Sequence, residues 1–266
     1  AVSVRCTDKT GTLARNEMTV VRVRTPESEV AVTGTGYVPE GEFLRDGSAI
    51  DPLADPDLRQ FLRAALLCNH ATFAGDEAGE WRIFGTPTEG ALVVAAAKAG
   101  ISRDGAPEAV REFSFNSTRK RMTIIYREGD GDVAYVKGAP EVLLDLSSRL
   151  LRDGAVVPLT DDLRDDLQQE LCGYASRGLR VLGAAYRPLP DDVPRTAEAV
   201  EKDLIFLGFA GIVDPPRPEA AEAIRLCRSA GIDVIMITGD NPLTASAIAQ
   251  DLGLSSEGAL TGADLE

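Results

Sequence analysis

The chain has 266 residues, of which 44% are hydrophobic and 26% charged, a balance typical of a folded globular protein rather than a disordered one. Its formal net charge of −14 argues against a general nucleic-acid-binding protein, because phosphate contacts need an excess of Lys and Arg, and we expect no nucleic-acid partner. Its 4 cysteines form no CxxC pair and it has 1 histidine, which argues against a Cys/His zinc site.

The N-terminal residues predict a short strand at 2–7 that leads into a polar loop beginning at Asp8. The middle of the chain mixes helices and antiparallel strands, with surface loops at 34–55 and 187–196. The strand patterns lie at 18–24, 29–33, 110–115, 122–127, 133–137 and 179–186, and the helix patterns at 57–71, 87–99, 140–150 and 160–177. This order is typical of an α+β domain.

The C-terminal part alternates strands and helices. A strand pattern at 204–213 reaches the segment Asp214-Pro215-Pro216-Arg217-Pro218, where the prolines end it. A helix at 219–230 follows, and then the apolar run Val234–Ile237, typical of a parallel strand covered on both faces. Pro242 opens another helix through Leu252. This β-α-β-α order predicts a doubly wound α/β sheet.

The two patterns together predict an α+β domain inserted into an α/β domain after its first strand. We assign residues 1–17 and 213–266 to the α/β domain and residues 18–212 to the insertion.

Polar residues follow two of the predicted parallel strands. Asp8 ends the first strand, and Thr10-Gly11-Thr12 offers hydroxyls and backbone N–H groups suited to phosphate oxygens. Thr238-Gly239-Asp240 ends the other strand and is predicted to face the same crevice, at a helix N-terminus. Two ordinary strand-to-helix turns, with Asp240 or Asn241 as a helix N-cap, are the alternative interpretation.

These residues carry a resemblance to a known family. Cys6-Thr7-Asp8-Lys9-Thr10-Gly11-Thr12-Leu13 resembles the phosphorylation motif of the P-type cation-transporting ATPases. Lys137-Gly138-Ala139-Pro140, Asp214-Pro215-Pro216-Arg217 and Met236-Ile237-Thr238-Gly239-Asp240-Asn241 resemble other cytoplasmic signatures of that family, in the same order. The segment Phe115–Lys120 is similar to the calcium-pump and sodium-pump branch, which makes Ca²⁺ the favoured cargo.

The resemblance implies a fold and a reaction. The fold would be an incomplete α/β haloacid-dehalogenase-like (Rossmannoid) phosphorylation domain with an inserted α+β nucleotide-binding domain, an antiparallel sheet with flanking helices. Asp8 would attack the γ-phosphate of ATP, and the aspartyl phosphate would drive cation transport. Asp8 and Thr10 would bind Mg²⁺, and Lys9 would attract the polyanion. The remaining phosphate oxygens would be held by Thr238, Gly239 and Asp240.

The resemblance also implies an adenine-nucleotide site in the inserted domain. Phe115 would stack on adenine, Glu89 would bond its amino group, and Arg180 would reach the phosphates. The full set of implied nucleotide contacts is Glu89, Phe115, Lys120, Lys137, Gly138, Arg180, Asp214 and Arg217. Ordinary structural roles are the alternatives: Phe115 as a core residue, and Glu89 in a capping box with Thr86.

The family also carries a later Gly-Asp-Gly-x-Asn-Asp motif, and this sequence reaches Glu266 without it. We therefore expect a soluble cytoplasmic segment of an integral membrane pump, with weak or no phosphoryl transfer of its own and with the transmembrane and actuator domains as its partners. One alternative is a stand-alone haloacid-dehalogenase-like phosphatase. Thr10 argues against it, because such enzymes carry an acid–base aspartate two residues after the nucleophile. The other alternative is a nucleotide-binding module without phosphorylation activity.

Overall fold

The computed structural model describes residues 3–76, 79–239, 242–254 and 260. The strands are β1 (Val4–Asp8), β2 (Thr19–Arg24), β3 (Glu29–Val32), β4 (Phe43–Arg45), β5 (Ser48–Ile50), β6 (Thr72–Gly75), β7 (Trp81–Phe84), β8 (Ala109–Asn116), β9 (Arg121–Glu128), β10 (Gly131–Gly138), β11 (Ser147–Arg152), β12 (Ala155–Pro158), β13 (Arg180–Leu189), β14 (Leu204–Val213) and β15 (Asp233–Ile237). The helices are α1 (Pro56–Leu67), α2 (Pro87–Lys98), α3 (Pro140–Asp145), α4 (Asp161–Ser176), α5 (Ala197–Val200), α6 (Pro218–Ser229) and α7 (Pro242–Asp251). None of these helices is long and apolar enough to cross a membrane.

A large mixed sheet lies at the centre of the described residues. Its main path runs β5-β4-β3-β2-β14-β13-β10-β9-β8, with β11 and β12 attached at β14, and every pair is antiparallel except β11–β14. The helices α1 and α2 pack on one face through residues such as Phe61 and Leu92. The helices α3 and α4 pack on the other face through residues such as Leu143 and Tyr174. The predicted antiparallel sheet with flanking helices is confirmed.

A separate parallel pair is formed by β1 and β15, which are the first and last strands of the described residues. On one face of this pair, Ile224 of α6 and Leu252, which directly follows α7, form a small cluster with Leu13. On the opposite face Ile235 and Ile237 are 50% and 56% exposed. The expectation that this strand is covered on both faces is therefore wrong for the described residues, because only one layer of helices lies against it.

The strand at 204–213 has the predicted bounds but lies in the other sheet. It pairs antiparallel with β13 and β2, so it belongs to the large sheet and not to the parallel pair. The predicted helix at 140–150 is correct only to Asp145. Beyond it the Ser147 hydroxyl donates to the Leu143 carbonyl at 2.6 Å and the chain turns into β11. Short apolar runs do not distinguish strand from helix, since pairing with a distant strand decides the outcome.

Candidate functional site

The first turn of α2 supplies an acidic group to one face of the large sheet. Thr86 is the N-cap, and its hydroxyl oxygen accepts from the Glu89 amide, with Pro87 in the first turn. The same hydroxyl donates to Glu89 Oε2 at 3.2 Å. The capping interpretation of Thr86 and Glu89 is thus supported. The other carboxylate oxygen of Glu89, Oε1, takes no part in the cap and is available for a different partner.

That second oxygen forms an ion pair with Lys137 of β10. Lys137 Nζ lies 2.8 Å from Glu89 Oε1, and the two side chains are 6% and 18% exposed. Burial opposes ionisation of Glu89, but the hydrogen bond and positive charge of Lys137, with help from Thr86, outweigh it and lower the pKa of the carboxyl. The buried Lys137 is therefore held by one carboxylate oxygen of Glu89 on this face of the sheet.

A β-bulge near the end of β8 changes the position of Phe115 relative to the neighbouring strands. Phe113 pairs with Thr123 and Asn116 with Arg121, so Ser114 and Phe115 together oppose Met122. Met122 in turn pairs with Lys137. Phe115 therefore lies in the transverse row of the sheet that contains the lysine, whereas Phe113 packs into a cluster on the opposite face.

Phe115 is the exposed part of this arrangement. Its side chain is 64% exposed, unlike the buried aromatic residues of the core. The sequence alternative, in which Phe115 is an ordinary core residue, is therefore wrong. An exposed phenylalanine beside a buried lysine offers a flat apolar surface next to a positive charge.

Gly138 allows the turn between β8 and β9 to approach the end of β10. A Cβ atom at Gly138 would lie 2.4 Å from the Lys120 carbonyl oxygen and 2.6 Å from Arg121 Cβ. Lys120 itself has a positive φ of 55° and an exposed side chain, with Nζ 3.9 Å from a carboxylate oxygen of Glu141. The absence of a side chain at Gly138 thus allows the turn that contains Lys120 to lie beside Lys137.

Arg180 closes the group from the neighbouring strand. Its guanidinium donates to the Thr88 hydroxyl at 3.0 Å, so β13 is joined to the first turn of α2. Thr88 is a residue that the sequence interpretation missed, although it directly precedes Glu89. The structure therefore brings together Glu89, Phe115, Lys120, Lys137, Gly138 and Arg180.

Two further residues near this group were also missed. His70 Nε2 lies 2.8 Å from Glu112 Oε2, and Glu112 is three positions before Phe115 on β8. The Cys68 thiol is fully buried, and this burial raises its pKa to about 12 although the charge of Lys137 acts in the opposite direction. The single histidine of the chain was a visible signal, but its pairing with Glu112 depends on tertiary structure.

The second group of predicted residues lies at the carboxyl end of the parallel pair. Asp8 is exposed and pairs in register with Ile237, so Thr238 and Gly239 begin one position beyond it at the same edge. Thr10 lies in a π-helical turn that spans Lys9–Leu13. The structure describes the backbone of Thr10 but not its side chain. Asp240 also lies outside the described residues. The expectation that both turns meet at one edge agrees with the register.

Asp214 and Arg217 lie beside the Asp8 loop and not with the Phe115 group. The Asp214 carboxylate accepts from Lys9 Nζ at 3.1 Å and from the Asn16 amide at 2.8 Å, and it is buried. The Arg217 amide donates to the Leu13 carbonyl at 2.8 Å. These contacts join the two chain segments that connect the parallel pair to the large sheet.

The carboxylates of the described ranges do not form a ready-made metal centre. No group of three or more His, Cys, Asp or Glu side chains there is placed to hold a metal ion. Mg²⁺ commonly binds one or two carboxylates and completes its shell with water and substrate phosphate. An exposed Asp8 at the strand end is compatible with that kind of site.

Comparison with known proteins identifies relatives of the whole chain. Residues 57–219 match the family model described as P-type ATPase, cytoplasmic domain N. The chain is 41% identical over 256 residues to the calcium-transporting ATPase of Bacillus subtilis, covering 95% of this chain and 29% of that protein. It is 41% identical over 271 residues to the cation-transporting ATPase pma1 of Synechocystis, covering 97% and 29%.

A vertebrate relative shows the same pattern. The chain is 36% identical over 263 residues to the calcium-transporting ATPase type 2C member 1 of Bos taurus, covering 96% of this chain and 26% of that protein. The chain thus spans between a quarter and three tenths of the length of these relatives.

Proposed function

The chain belongs to the P-type ATPase family, and from that premise we propose that it is the ATP-binding region of a cation pump. The observation that carries this proposal is the buried Lys137 in one row of the sheet with the exposed Phe115. An aromatic face stacks on a base without a precise hydrogen-bond pattern, and the ammonium attracts a polyphosphate.

Each residue of the group has a role toward ATP in this proposal. Phe115 stacks on adenine, and Lys137 donates to the nucleotide while it keeps its ion pair, because an ammonium has three donors. Glu89 accepts from the adenine amino group, since a carboxylate holding Lys137 and Thr86 still has acceptor capacity. Arg180 and the exposed Lys120 add positive charge for the phosphates.

We further propose that in the whole pump Asp8 accepts the phosphoryl group, whereas this segment by itself transfers it weakly or not at all. A carboxylate oxygen of Asp8 forms a bond to the γ-phosphorus, the bridging bond to the β-phosphate breaks, and ADP leaves with the electron pair. Asp8 and the backbone carbonyl of Thr10 would hold Mg²⁺, which would neutralise part of the charge of the phosphate. Thr238, Gly239 and Asp240 hold the other oxygens. The register of Asp8 with Ile237 supports this assignment.

The domain division follows from the same proposal. Residues 1–17 and 213–266 contribute to a haloacid-dehalogenase-like phosphorylation domain, and residues 18–212 form the nucleotide-binding domain. Two observations support it: β1 pairs with β15 in parallel, and the linking segments contact each other, with the Arg15 amide donating to the Pro215 carbonyl at 3.1 Å.

The proposed cargo is a cation, with Ca²⁺ favoured. The relatives in Bacillus subtilis and Bos taurus are named calcium-transporting ATPases, which supports this choice. In the pump this region would lie on the cytoplasmic side of a membrane and work with the transmembrane and actuator domains, in keeping with the family model of a cytoplasmic domain.

An ATP titration by calorimetry tests the nucleotide site. We expect saturable binding by the wild-type chain, with a dissociation constant on the order of micromolar to millimolar, and a loss of at least about tenfold in Phe115→Ala. The matched control is Leu226→Ala, which removes an apolar side chain that is 60% exposed on α6. Equal affinity in Phe115→Ala and wild type would contradict the proposal.

Labelling with γ-labelled ATP separates the two proposed roles. Acid-stable, hydroxylamine-sensitive label that is absent in Asp8→Asn would assign the phosphoryl acceptor within this chain. Saturable ATP binding without label would favour the nucleotide-binding module as the activity of this chain by itself.

A further inference from the structure

A buried carboxylate lies on the face of the large sheet opposite Lys137. The side chain of Glu201, directly after α5, is 1% exposed. It accepts from the Thr123 hydroxyl at 2.7 Å and from Arg121 Nε at 2.8 Å, and it forms an ion pair with Arg119. Two cations and a hydroxyl thus compensate one buried charge, as burial of a carboxylate requires.

The partners of Glu201 belong to the segment that carries Phe115. Arg119 lies in the turn between β8 and β9, and Arg121 and Thr123 begin β9. Arg121 Nη1 also donates to the Arg119 carbonyl at 2.8 Å. The carboxylate therefore contacts the turn directly at Arg119 and indirectly through Arg121, in addition to its contacts with β9 itself.

Arg119 extends this connection to the bulge. Its Nη2 donates to the Ser114 carbonyl at 2.6 Å, while its Nη1 contacts Glu201. Ser114 and Phe115 are the two residues that oppose Met122 in the bulge. One planar guanidinium thus joins Glu201 to the backbone of the residue directly before Phe115, and its fixed fork geometry restricts the direction of that peptide.

We propose that Glu201 is a positioning residue for the base-binding surface: through Arg119 it holds the bulge that directs Phe115 to the Lys137 face of the sheet. This inference rests on the proposed function, because it assigns to Phe115 the stacking of adenine. Glu201 contacts no ligand in this proposal, since it lies on the other face of the sheet.

The first measurement is amide hydrogen exchange of residues 114–120 without nucleotide. We expect Glu201→Gln to accelerate exchange of the Lys120 amide, which donates to the Asn116 carbonyl at 2.6 Å, by about tenfold. The matched control is Asp132→Asn, which removes another buried carboxylate that is paired with two arginines, Arg127 and Arg195, at the far end of β10. Unchanged exchange in Glu201→Gln would overturn the proposal.

The second measurement is a double-variant cycle of ATP affinity with Glu201→Gln and Phe115→Ala. We expect Glu201→Gln to weaken ATP binding about tenfold in the wild-type background and less than about twofold in the Phe115→Ala background. Equal weakening in both backgrounds, or none in the wild-type background, would overturn the proposal, because Glu201 would then act generally on the fold or not on the site. Asp132→Asn is expected to lower the melting temperature without a change in ATP affinity.

Arg119→Lys tests the same connection if Glu201→Gln does not fold. Its ammonium cannot contact the carboxylate and the Ser114 carbonyl as one planar fork, and the side chain is 26% exposed, so the fold is expected to persist. The expected changes in exchange and affinity have the same direction. Absence of ATP binding by the wild-type chain would overturn the proposed function, and the exchange measurement would still decide whether Glu201 holds the bulge.

Discussion

Lys137 Nζ lies 2.8 Å from Glu89 Oε1, which joins the end of β10 to the first turn of α2 across the face of the large sheet. The Lys137 side chain is almost fully buried, whereas the Glu89 side chain is partly exposed to water. The loss of stability is expected to be large when only one partner is removed, because the other partner is then left as an uncompensated charge in a poorly solvated environment.

Lys137→Met is expected to destabilise the protein by about 3 kcal/mol and to weaken ATP binding, since the carboxylate of Glu89 loses its partner. The double variant Glu89→Leu/Lys137→Met is expected to regain part of the stability but not the affinity. Urea unfolding and ATP titration measure the two effects. A double variant no more stable than Lys137→Met would contradict this account.

The low pKa of Glu89 predicts a pH dependence of folding. Because the folded-state pKa lies below the unfolded value of about 4.3, ionised Glu89 stabilises the protein above that pH, and this stability is lost as the pH falls through the folded-state pKa. The free energy of unfolding should therefore fall less in Glu89→Gln than in wild type between about pH 6 and pH 3.5. Glu80→Gln, at a side chain that is 72% exposed, is the control and should follow wild type.

Gly138→Ala is expected to destabilise the protein by more than about 1 kcal/mol, because the added Cβ would meet the Lys120 carbonyl. It is also expected to weaken ATP binding by displacing that turn. Gly131→Ala on the same strand meets no atom within 4 Å and is expected to change stability by less than about 0.5 kcal/mol. Equal melting temperatures of the two variants would count against the close approach.

Cys68 is expected to resist alkylation in the folded protein, since its raised pKa leaves almost no thiolate near pH 8 and the side chain is buried. Cys172, which is exposed on α4, should react before Cys68. Iodoacetamide labelling followed by peptide mass spectrometry distinguishes the two sites. If Cys68 reacted as fast as Cys172 in the native state, the protein around Cys68, next to Lys137, would have to open to solvent.

Asp214→Ala is expected to loosen the contact between the two linking segments. The substitution removes the acceptor of the Asn16 amide and leaves the buried Lys9 without this carboxylate. Amide exchange at Asn16 should accelerate by about tenfold, while exchange in β10 should not change. Asp203→Ala, at an aspartate that is 60% exposed, is the control. A uniform acceleration across both regions would point to global destabilisation instead.

Some elements of the fold follow from local sequence patterns, whereas others depend on pairing with a distant strand. The meander β8–β9–β10 was predicted because each strand alternates and the turn between β9 and β10 carries Gly129 and Asp130, which is local information. The helix α2 was predicted from Thr86, Pro87 and its apolar run for the same reason. By contrast, β11 and β12 were missed, because a short apolar segment becomes a strand only when β14 is present beside it.

The site divides in the same way. The sequence by itself determined the family resemblance and the identities of Phe115, Lys137 and Glu89, because motifs are written in consecutive residues. Only the tertiary structure decided that Lys137 pairs with Glu89, that a bulge places Phe115 in the same transverse row as Lys137, and that Glu201 is connected to that bulge through Arg119. The physical reason is that strand register and side-chain pairing across 48 or more positions depend on packing of the whole sheet, which no local pattern encodes.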